Sequence, residues 1–232
     1  MTSEVLSEAA APKMTSRLTA YGLLLTLLFP GASPSAAQDG EAIALKAGRT
    51  FRALSSFRAS FEQIIEDRMI GTQESKGELV QAGNAHLAMR FSDPKGDLVL
   101  LDGTSVWIYT PSTTPGQVIR MPIPTDPVYG PNVLSRILDR PTERYQVTWV
   151  REETVDGRPA DVVEFVPTTE DPLFSRAVIW IDRTQSLPRR LELDERTGVH
   201  RTLILLRPRT NVAVGKNEFV FNVPDGVRVV DR

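Results

Sequence analysis

The sequence predicts a mainly β protein: one N-terminal helix followed by a single large antiparallel sheet that curls into a barrel or half-barrel. Two observations support this fold class. After residue 56, short runs of alternating apolar and polar residues recur at nearly regular spacing, and each run ends in a turn signal. Asp-Gly pairs at 102–103 and 156–157 stand between such runs, and this dipeptide is the strongest short-range signal for a hairpin.

Composition places the chain among folded domains. Its 232 residues include 27 basic and 29 acidic side chains, a net charge of −2, and 41% of them are hydrophobic. Nucleic acid is not an expected partner, because binding it requires a concentrated basic surface. The chain has no cysteine, which excludes disulfides, thiol catalysis, thiolate metal sites and acylation of this chain on an N-terminal cysteine.

Residues 1–37 have the features of a secretory signal peptide. Basic residues precede an apolar run at 18–29, and small residues follow it up to Ala37. The run is shorter than the ~20 residues of a membrane-spanning helix. We therefore expect cleavage after Ala37, which leaves 195 of the 232 residues as one exported, soluble domain, 38–232. An uncleaved anchor and a translation start at Met14 remain open alternatives.

The elements of the exported part follow from the period of its apolar residues. Helical spacing predicts a helix over 41–54, and a period of two predicts the first strand over 57–65, followed by a hairpin loop over 67–76. The proline-rich segment 122–141 interrupts the strands; a short helix is predicted there over 132–138, beginning near Pro131 and ending at Pro141. Further strands are predicted at 77–82, 86–91, 97–101, 105–109, 117–121, 145–151, 160–166, 176–182, 189–195, 199–206 and 218–221.

Nearly every predicted strand has one apolar face, such as Leu87, Met89 and Phe91, while the opposite face is often charged. This pattern is typical of an antiparallel sheet with one face in water. One helix of about 20 Å does not cover so wide a sheet. The uncovered apolar surface must close on itself, pair with another chain or hold an apolar ligand. The residues alone leave a filled core and a ligand cavity equally open.

Catalysis has little support in the sequence. His86 and His200 lie in predicted strands without metal-ligand spacing, and the chain has neither a serine nucleophile motif nor a phosphate-binding loop. Most aspartates stand at turns, where the side chain bonds its own backbone. We therefore expect no enzymatic activity, no metal and no cofactor.

Four segments of the sequence stand out by their order and spacing. They are Phe57-Arg-Ala-Ser-Phe61-Glu-Gln63 leading into Gly77-Glu-Leu79, the strand–Asp102-Gly103–strand unit with Trp107-Ile-Tyr109 and Pro111, Gln117-Val118, and the C-terminal stretch 219–231. Together they resemble the LolA family of periplasmic lipoprotein carriers. The resemblance spans 41–231.

The resemblance implies a mainly β (α+β) fold, an incomplete antiparallel β-barrel with a helical lid over an apolar cavity. It also implies a function: a soluble, monomeric periplasmic carrier. Such a carrier takes the acyl chains of lipoproteins from an inner-membrane ABC transporter (LolCDE-like) and delivers them to an outer-membrane receptor (LolB-like). Members of the family carry an Arg-Pro pair after the Gly-x-Leu strand, and its arginine bonds to the lid. Here Gly83-Asn84 stands at that place, so we assign that role to no residue.

We expect apolar strand residues to line the cavity, although packing in an ordinary core is the alternative for each of them. Alternation does not decide which face of 105–109 points inward, and we take the aromatic pair as inward. The expected lining is Leu87, Met89, Phe91, Leu98, Leu100, Trp107, Tyr109, Val147, Trp149, Ile179 and Leu191.

Two other functions compete with lipoprotein transport. One is an envelope lipid-sensing regulatory module of the same fold, as in RseB-type proteins; these usually carry a second domain, for which 195 residues leave no room. The other is a secreted lipid hydrolase, for which the chain lacks a recognisable nucleophile with a base.

Overall fold

The computed structural model describes residues 34–123, 132–171 and 173–232, and within them it has three helices and twelve strands. Residues 1–33 of the predicted signal peptide lie outside the described residues. The elements are α1 (Pro34–Arg52), β1 (Phe57–Asp67), β2 (Gly71–Ala82), β3 (His86–Asp93), β4 (Lys95–Asp102), β5 (Ser105–Tyr109), β6 (Gln117–Pro122), α2 (Val133–Leu138), α3 (Pro141–Arg144), β7 (Tyr145–Val155), β8 (Arg158–Pro167), β9 (Phe174–Asp182), β10 (Pro188–Glu195), β11 (His200–Thr210) and β12 (Arg228–Asp231).

All twelve strands belong to one sheet in the order β12-β6-β5-β4-β3-β2-β1-β11-β10-β9-β8-β7. Neighbours pair antiparallel except β12 and β6, which are parallel. The two terminal strands in this order, β12 and β7, do not pair with each other. The sheet is therefore open, which confirms the predicted incomplete barrel.

The two Asp-Gly pairs form the predicted hairpin turns. Between β7 and β8, Asp156 and Gly157 both have positive φ, 49° and 70°, as the tight turn that matches strand twist requires. Between β4 and β5, the Asp102 carboxylate accepts hydrogen bonds from the backbone N–H groups of Thr104 and Ser105, at 2.9 and 2.7 Å. These local interactions set the register of both hairpins.

Three predicted boundaries need correction. The first helix begins at Pro34 rather than at 41, because Pro34 at the first helical position is followed by residues compatible with a helix. The predicted loop over 67–76 is wrong, since β2 already begins at Gly71 and pairs with β1 along its whole length. The predicted strand over 218–221 is also wrong, because the last strand is β12.

One face of the sheet, here called the inner face, packs against α1 and α2 in a single large hydrophobic cluster. Helix α1 contributes Ala44, Ala47 and Phe51, which recur at helical spacing and are buried. Gly48 lies on the same helix, and a Cβ at this position would overlap the carbonyl oxygen of Leu138. The glycine thus allows α2 to pack closely on α1.

Candidate functional site

A cavity of about 350 Å³ lies between the inner face of the sheet and α2. Twelve of its seventeen lining residues are apolar, and the other five group by their hydrogen bonds into two sets. The apolar residues are Leu79, Leu87, Met89, Phe91, Val99, Val133, Leu134, Leu173, Phe174, Leu191, Leu193 and Leu203; the polar residues are Gln63, Gln81, Asn132, Glu195 and Arg201. Such a lining, with few polar groups, is typical of a site for an apolar ligand.

Helix α2 covers the cavity with its N-terminal turn. Asn132 caps the helix, because its side-chain oxygen accepts a hydrogen bond from the backbone N–H of Ser135 at 3.3 Å. Asn132, Val133 and Leu134 line the cavity, while Ile137 and Leu138 are buried in the inner core. The helix has six residues, and such a short helix depends on tertiary contacts for its stability.

Two groups of polar contacts attach α2 to the sheet. On the β2 side, the Gln81 side-chain amide donates to the Ser135 hydroxyl at 2.8 Å, and Asn132 donates to the carbonyl of Asn84 at 3.4 Å. Asn84 belongs to the Gly83-Asn84 stretch singled out in the sequence analysis. The contact to α2 on this side therefore comes from amides rather than from an arginine.

On the side of the β8–β9 connection, an arginine of α2 itself makes the polar contact. Arg136 forms an ion pair with Asp171, which lies in the connection between β8 and β9, and both side chains are buried. The guanidinium also lies 5.7 Å from the centre of the Phe174 ring, which is part of the cavity wall. The ring of Tyr145 stacks on Phe174, and burial raises the pKa of the Tyr145 hydroxyl. This buried cluster connects α2 to the wall of the cavity.

Of the predicted lining residues, the structure brings Leu87, Met89, Phe91 and Leu191 together in the cavity wall. The other inward-facing predictions lie elsewhere on the inner face. Val147 and Ile179 are buried in the inner core without contacting the cavity. Trp149 is also outside the cavity lining; it is half-buried and donates its indole N–H to Asp161 at 3.1 Å.

Leu98, Leu100, Trp107 and Tyr109 require correction, because they lie on the outer face of the sheet in a separate hydrophobic cluster. Phe219 and Phe221 cover them. The ring of Phe221 lies 5.4 Å from the Trp107 ring and 5.5 Å from the Tyr109 ring. The C-terminal part of the same chain therefore partly buries the aromatic pair of β5.

The residues that alternate with this outer set face inward. Val106 and Ile108 pack into the inner core, and Val99 lines the cavity. Outer-face contacts also explain Arg90, which donates to the carbonyl of Glu218 at 2.7 Å. Arg90 therefore faces away from Met89, as the alternation of side chains along β3 requires.

Sequence reasoning missed most of the remaining wall. Leu193 and Leu203 could have been found, because alternation already placed them on the apolar faces of their strands. Leu173 and Phe174 follow an irregular connection, and Val133 and Leu134 belong to α2, so strand alternation gave no signal for them. The missed apolar residues are Leu79, Val99, Val133, Leu134, Leu173, Phe174, Leu193 and Leu203.

Three of the polar residues form one connected group at the edge of the cavity. Arg201 donates from Nε to Glu195 Oε1 at 2.7 Å and from Nη1 to Gln63 Oε1 at 3.1 Å. Gln63 in turn donates to Ser75 at 3.2 Å. Glu195 also lines a second, polar pocket of about 430 Å³ between the β1–β2 and β10–β11 turns. This group therefore separates the apolar cavity from a solvent-facing pocket.

The residues that the structure describes were also searched for membrane-spanning helices and for metal sites. None of their helices is long and apolar enough to cross a membrane. Within the same residues, no group of three or more His, Cys, Asp or Glu side chains is arranged to hold a metal ion.

Fold and site together define a class of protein: an open antiparallel sheet whose inner face and short covering helix enclose an apolar cavity. The profile of a protein family described as "Uncharacterized protein" matches residues 83–208. This match covers 126 of the 232 residues, more than half of the chain, and the protein belongs to this family. No curated protein sequence matches the chain.

Several solved structures are similar to this chain. An uncharacterized conserved protein from Thermus thermophilus has 13% identity and a TM-score of 0.52, with 84% of this chain and 99% of that chain covered. A LolA superfamily protein from Nitrosomonas europaea has 14% identity and a TM-score of 0.39, covering 78% and 97%. The MucA/MucB complex of Pseudomonas aeruginosa has 18% identity and a TM-score of 0.45, covering 84% and 63%. At identities this low, the similarity to the Thermus thermophilus protein shows the fold alone.

Proposed function

We propose that this protein is a soluble periplasmic carrier that binds the acyl chains of lipoproteins in transit between the two membranes. The observation that carries the proposal is the apolar cavity beneath α2, whose wall is formed by aliphatic side chains, two phenylalanines and Met89. The proposal is a binding function without catalysis. It agrees with the signal peptide predicted at 1–37 and with the LolA-like motifs of the sequence.

The chemistry of the wall suits a carrier. Burial of an acyl chain contributes about 0.8 kcal/mol per CH₂, and this attraction needs no hydrogen bond from the protein. A wall without strong polar anchors can bind a chain and also release it. Met89 is well suited to such a wall, since the methionine side chain adapts to irregular shapes.

The size of the cavity sets a condition on loading. Its 350 Å³ lies near the lower end of the range for pockets that hold one small ligand, about 300–1,000 Å³. Several acyl chains need more room, and α2 is the element whose displacement would provide it. The two groups of polar contacts that attach α2 would then have to break during loading.

The energy for loading comes from outside the carrier in this proposal. Removing several acyl chains from a bilayer costs tens of kcal/mol at about 0.8 kcal/mol per CH₂. We propose that an inner-membrane ABC transporter (LolCDE-like) supplies this work by ATP hydrolysis and that an outer-membrane receptor (LolB-like) accepts the cargo. The carrier supplies a dry cavity between the two steps.

A matched pair of variants tests the binding site. Met89→Glu places a carboxylate in the cavity wall, where Met89 is 7% exposed, whereas Met69→Glu changes a side chain that is 93% exposed. We expect Met89→Glu to abolish uptake of a fluorescent acyl probe and of a triacylated lipoprotein, because burying a charge in an apolar site is costly. Met69→Glu should bind as the wild type does. Wild-type uptake by a folded Met89→Glu variant would contradict the proposal.

Cellular experiments test the transport role. Native mass spectrometry of the protein purified from its own periplasm should detect bound triacylated lipoproteins. Depletion should leave lipoproteins at the inner membrane. If depletion leaves their delivery unchanged and the purified protein instead holds a membrane signalling partner, the RseB-like sensing function replaces the carrier function.

A further inference from the structure

The inner face of β11 changes from apolar to charged toward the edge of the cavity. Leu205, Leu203 and Arg201 follow one another on this face, and only the last is polar. Among the described residues that line the cavity, Arg201 is the one cation and Glu195 the one anion. The cavity therefore has the polarity of an amphiphile, with an extended apolar part and a charged end.

Arg201 keeps donors available at this end. A guanidinium has five N–H groups, and the bonds to Glu195 and Gln63 use two of them. Its side chain is 32% exposed and that of Glu195 is 22% exposed, so a ligand in the cavity can reach both. The planar guanidinium also matches the geometry of a carboxylate or a phosphate.

We infer that Arg201 binds the oxyanion head of an acyl amphiphile, a carboxylate or a phosphate, whose tail occupies the apolar cavity. This inference rests on the proposed acyl-binding function and adds a class of ligand to it. Glu195 competes with the head for Arg201, and Gln63 holds the guanidinium at the edge of the cavity. The head exchanges places with the Glu195 carboxylate when the ligand binds.

The groups facing this end restrict the charge of the head. Glu66, Asp67 and Asp194 line the adjoining pocket together with Arg68 and His200. The carboxylates outnumber the cations there, so a head with several negative charges would be repelled. A single negative charge, as on a fatty acid or a phosphodiester lipid, fits the site.

Competition binding with ligands of one chain length tests the inference. The full exported chain, stripped of lipid, is titrated with hexadecanoate, with 1-hexadecanol and with palmitoyl lysophosphatidylglycerol against a neutral fluorescent acyl probe, each ligand below the concentration at which it aggregates. We expect the wild type to prefer an anionic ligand over the alcohol by about tenfold, and the preferred anion, carboxylate or phosphodiester, identifies the source of the head. Arg201→Gln should remove this preference, because affinity for the anion falls about tenfold relative to affinity for the alcohol.

Two further variants keep the test independent of folding defects. Glu195→Gln removes the competing carboxylate and should strengthen binding of the anion severalfold. Arg151→Gln breaks an exposed ion pair with Glu153, which does not line the cavity, and should change nothing. Equal affinities for anion and alcohol in the wild type, or an unchanged preference in folded Arg201→Gln, would overturn the head-group site alone. Failure of the wild type to bind any of the ligands would overturn the acyl-binding function as well.

Discussion

Neutralising Asp171 should release α2 from the wall of the cavity. The side chains of Arg136 and Asp171 are 5% and 7% exposed, so Asp171→Asn leaves the arginine charge buried without a partner. Removing one partner of a buried ion pair costs about 3–5 kcal/mol. Asparagine keeps the side-chain oxygen that accepts from the Leu173 backbone N–H at 2.8 Å, which confines the change to the charge.

Helix α2 can relieve this cost by moving Arg136 into water. The penalty should therefore appear as opening of α2 rather than as unfolding of the sheet. At about 1.4 kcal/mol per factor of ten, 3–5 kcal/mol raises the open population by roughly 100- to 4,000-fold. Hydrogen exchange measures this directly: the amides of 133–138 should lose protection by that factor, while those of β1 and β2 exchange as in the wild type.

Two controls accompany this measurement. Combining Arg136→Met with Asp171→Asn removes both charges, and it should restore most of the protection of α2 because replacing both partners is nearly neutral. Arg151→Met breaks an exposed ion pair and should cost less than about 1 kcal/mol. The reasoning is refuted if Asp171→Asn lowers global stability by 3–5 kcal/mol while α2 keeps wild-type exchange, since α2 would then open only when the sheet unfolds.

Three further predictions concern stability. Gly48→Ala places a Cβ against the carbonyl of Leu138 and should cost about 1–3 kcal/mol in denaturant unfolding, whereas Gly215→Ala, which meets no atom within 4 Å, should cost far less. Trp107→Ala should lower stability by about 2–4 kcal/mol and leave acyl affinity unchanged, because it lies on the outer face; reduced affinity would contradict that placement. Burial alone would raise the pKa of Asp182, but hydrogen bonds from the Gln185 and Thr184 backbone and from Arg189 lower it. The stabilisation by Asp182 is thus present above about pH 4 and is lost as the pH falls through the lower folded pKa. The free energy of unfolding, measured from pH 7 to 2, should therefore depend less on pH in Asp182→Asn than in the wild type.

Local signals predicted most of the strands because hairpins are local structures. The turn at Asp156-Gly157 depends on the backbone preferences of two residues, and alternation in β3 identifies Leu87 and Met89 as neighbours on one face. Both kinds of information lie within a dozen residues of chain. They place strands and assign residues to a common face, and they leave open which face is inside.

The choice of face depends on contacts that are distant in sequence. Trp107 is on the outer face because Phe221, more than a hundred residues later, packs against it. From β5 alone, a buried aromatic pair is equally compatible with either side of the sheet. The wrong assignment of Trp107 and Tyr109 follows from this, and so does the wrong strand over 218–221, whose apolar residues pack through side chains without backbone pairing.

Two polar pairs at and near the cavity likewise join residues that are far apart in sequence. Gln63 and Arg201 are 138 residues apart, and Arg136 and Asp171 are 35 apart, yet each pair forms one hydrogen-bonded group. In sequence these residues look like ordinary surface positions of strands and loops. Only the folded sheet and α2 bring the members of each pair together, Gln63 and Arg201 at the cavity and Arg136 and Asp171 in the buried cluster that attaches α2.

The division of the cavity into an apolar wall and a polar edge separates affinity from selectivity. The free energy of hydrophobic burial is nearly proportional to the apolar area removed from water and does not depend on direction. The wall therefore attracts acyl chains whatever head group they carry. Discrimination between ligands must then come from groups with direction, which are the hydrogen-bonding side chains at Arg201 and beneath α2. Substitutions such as Leu87→Ala should weaken all acyl ligands by a similar factor, whereas Arg201→Gln should change their ranking.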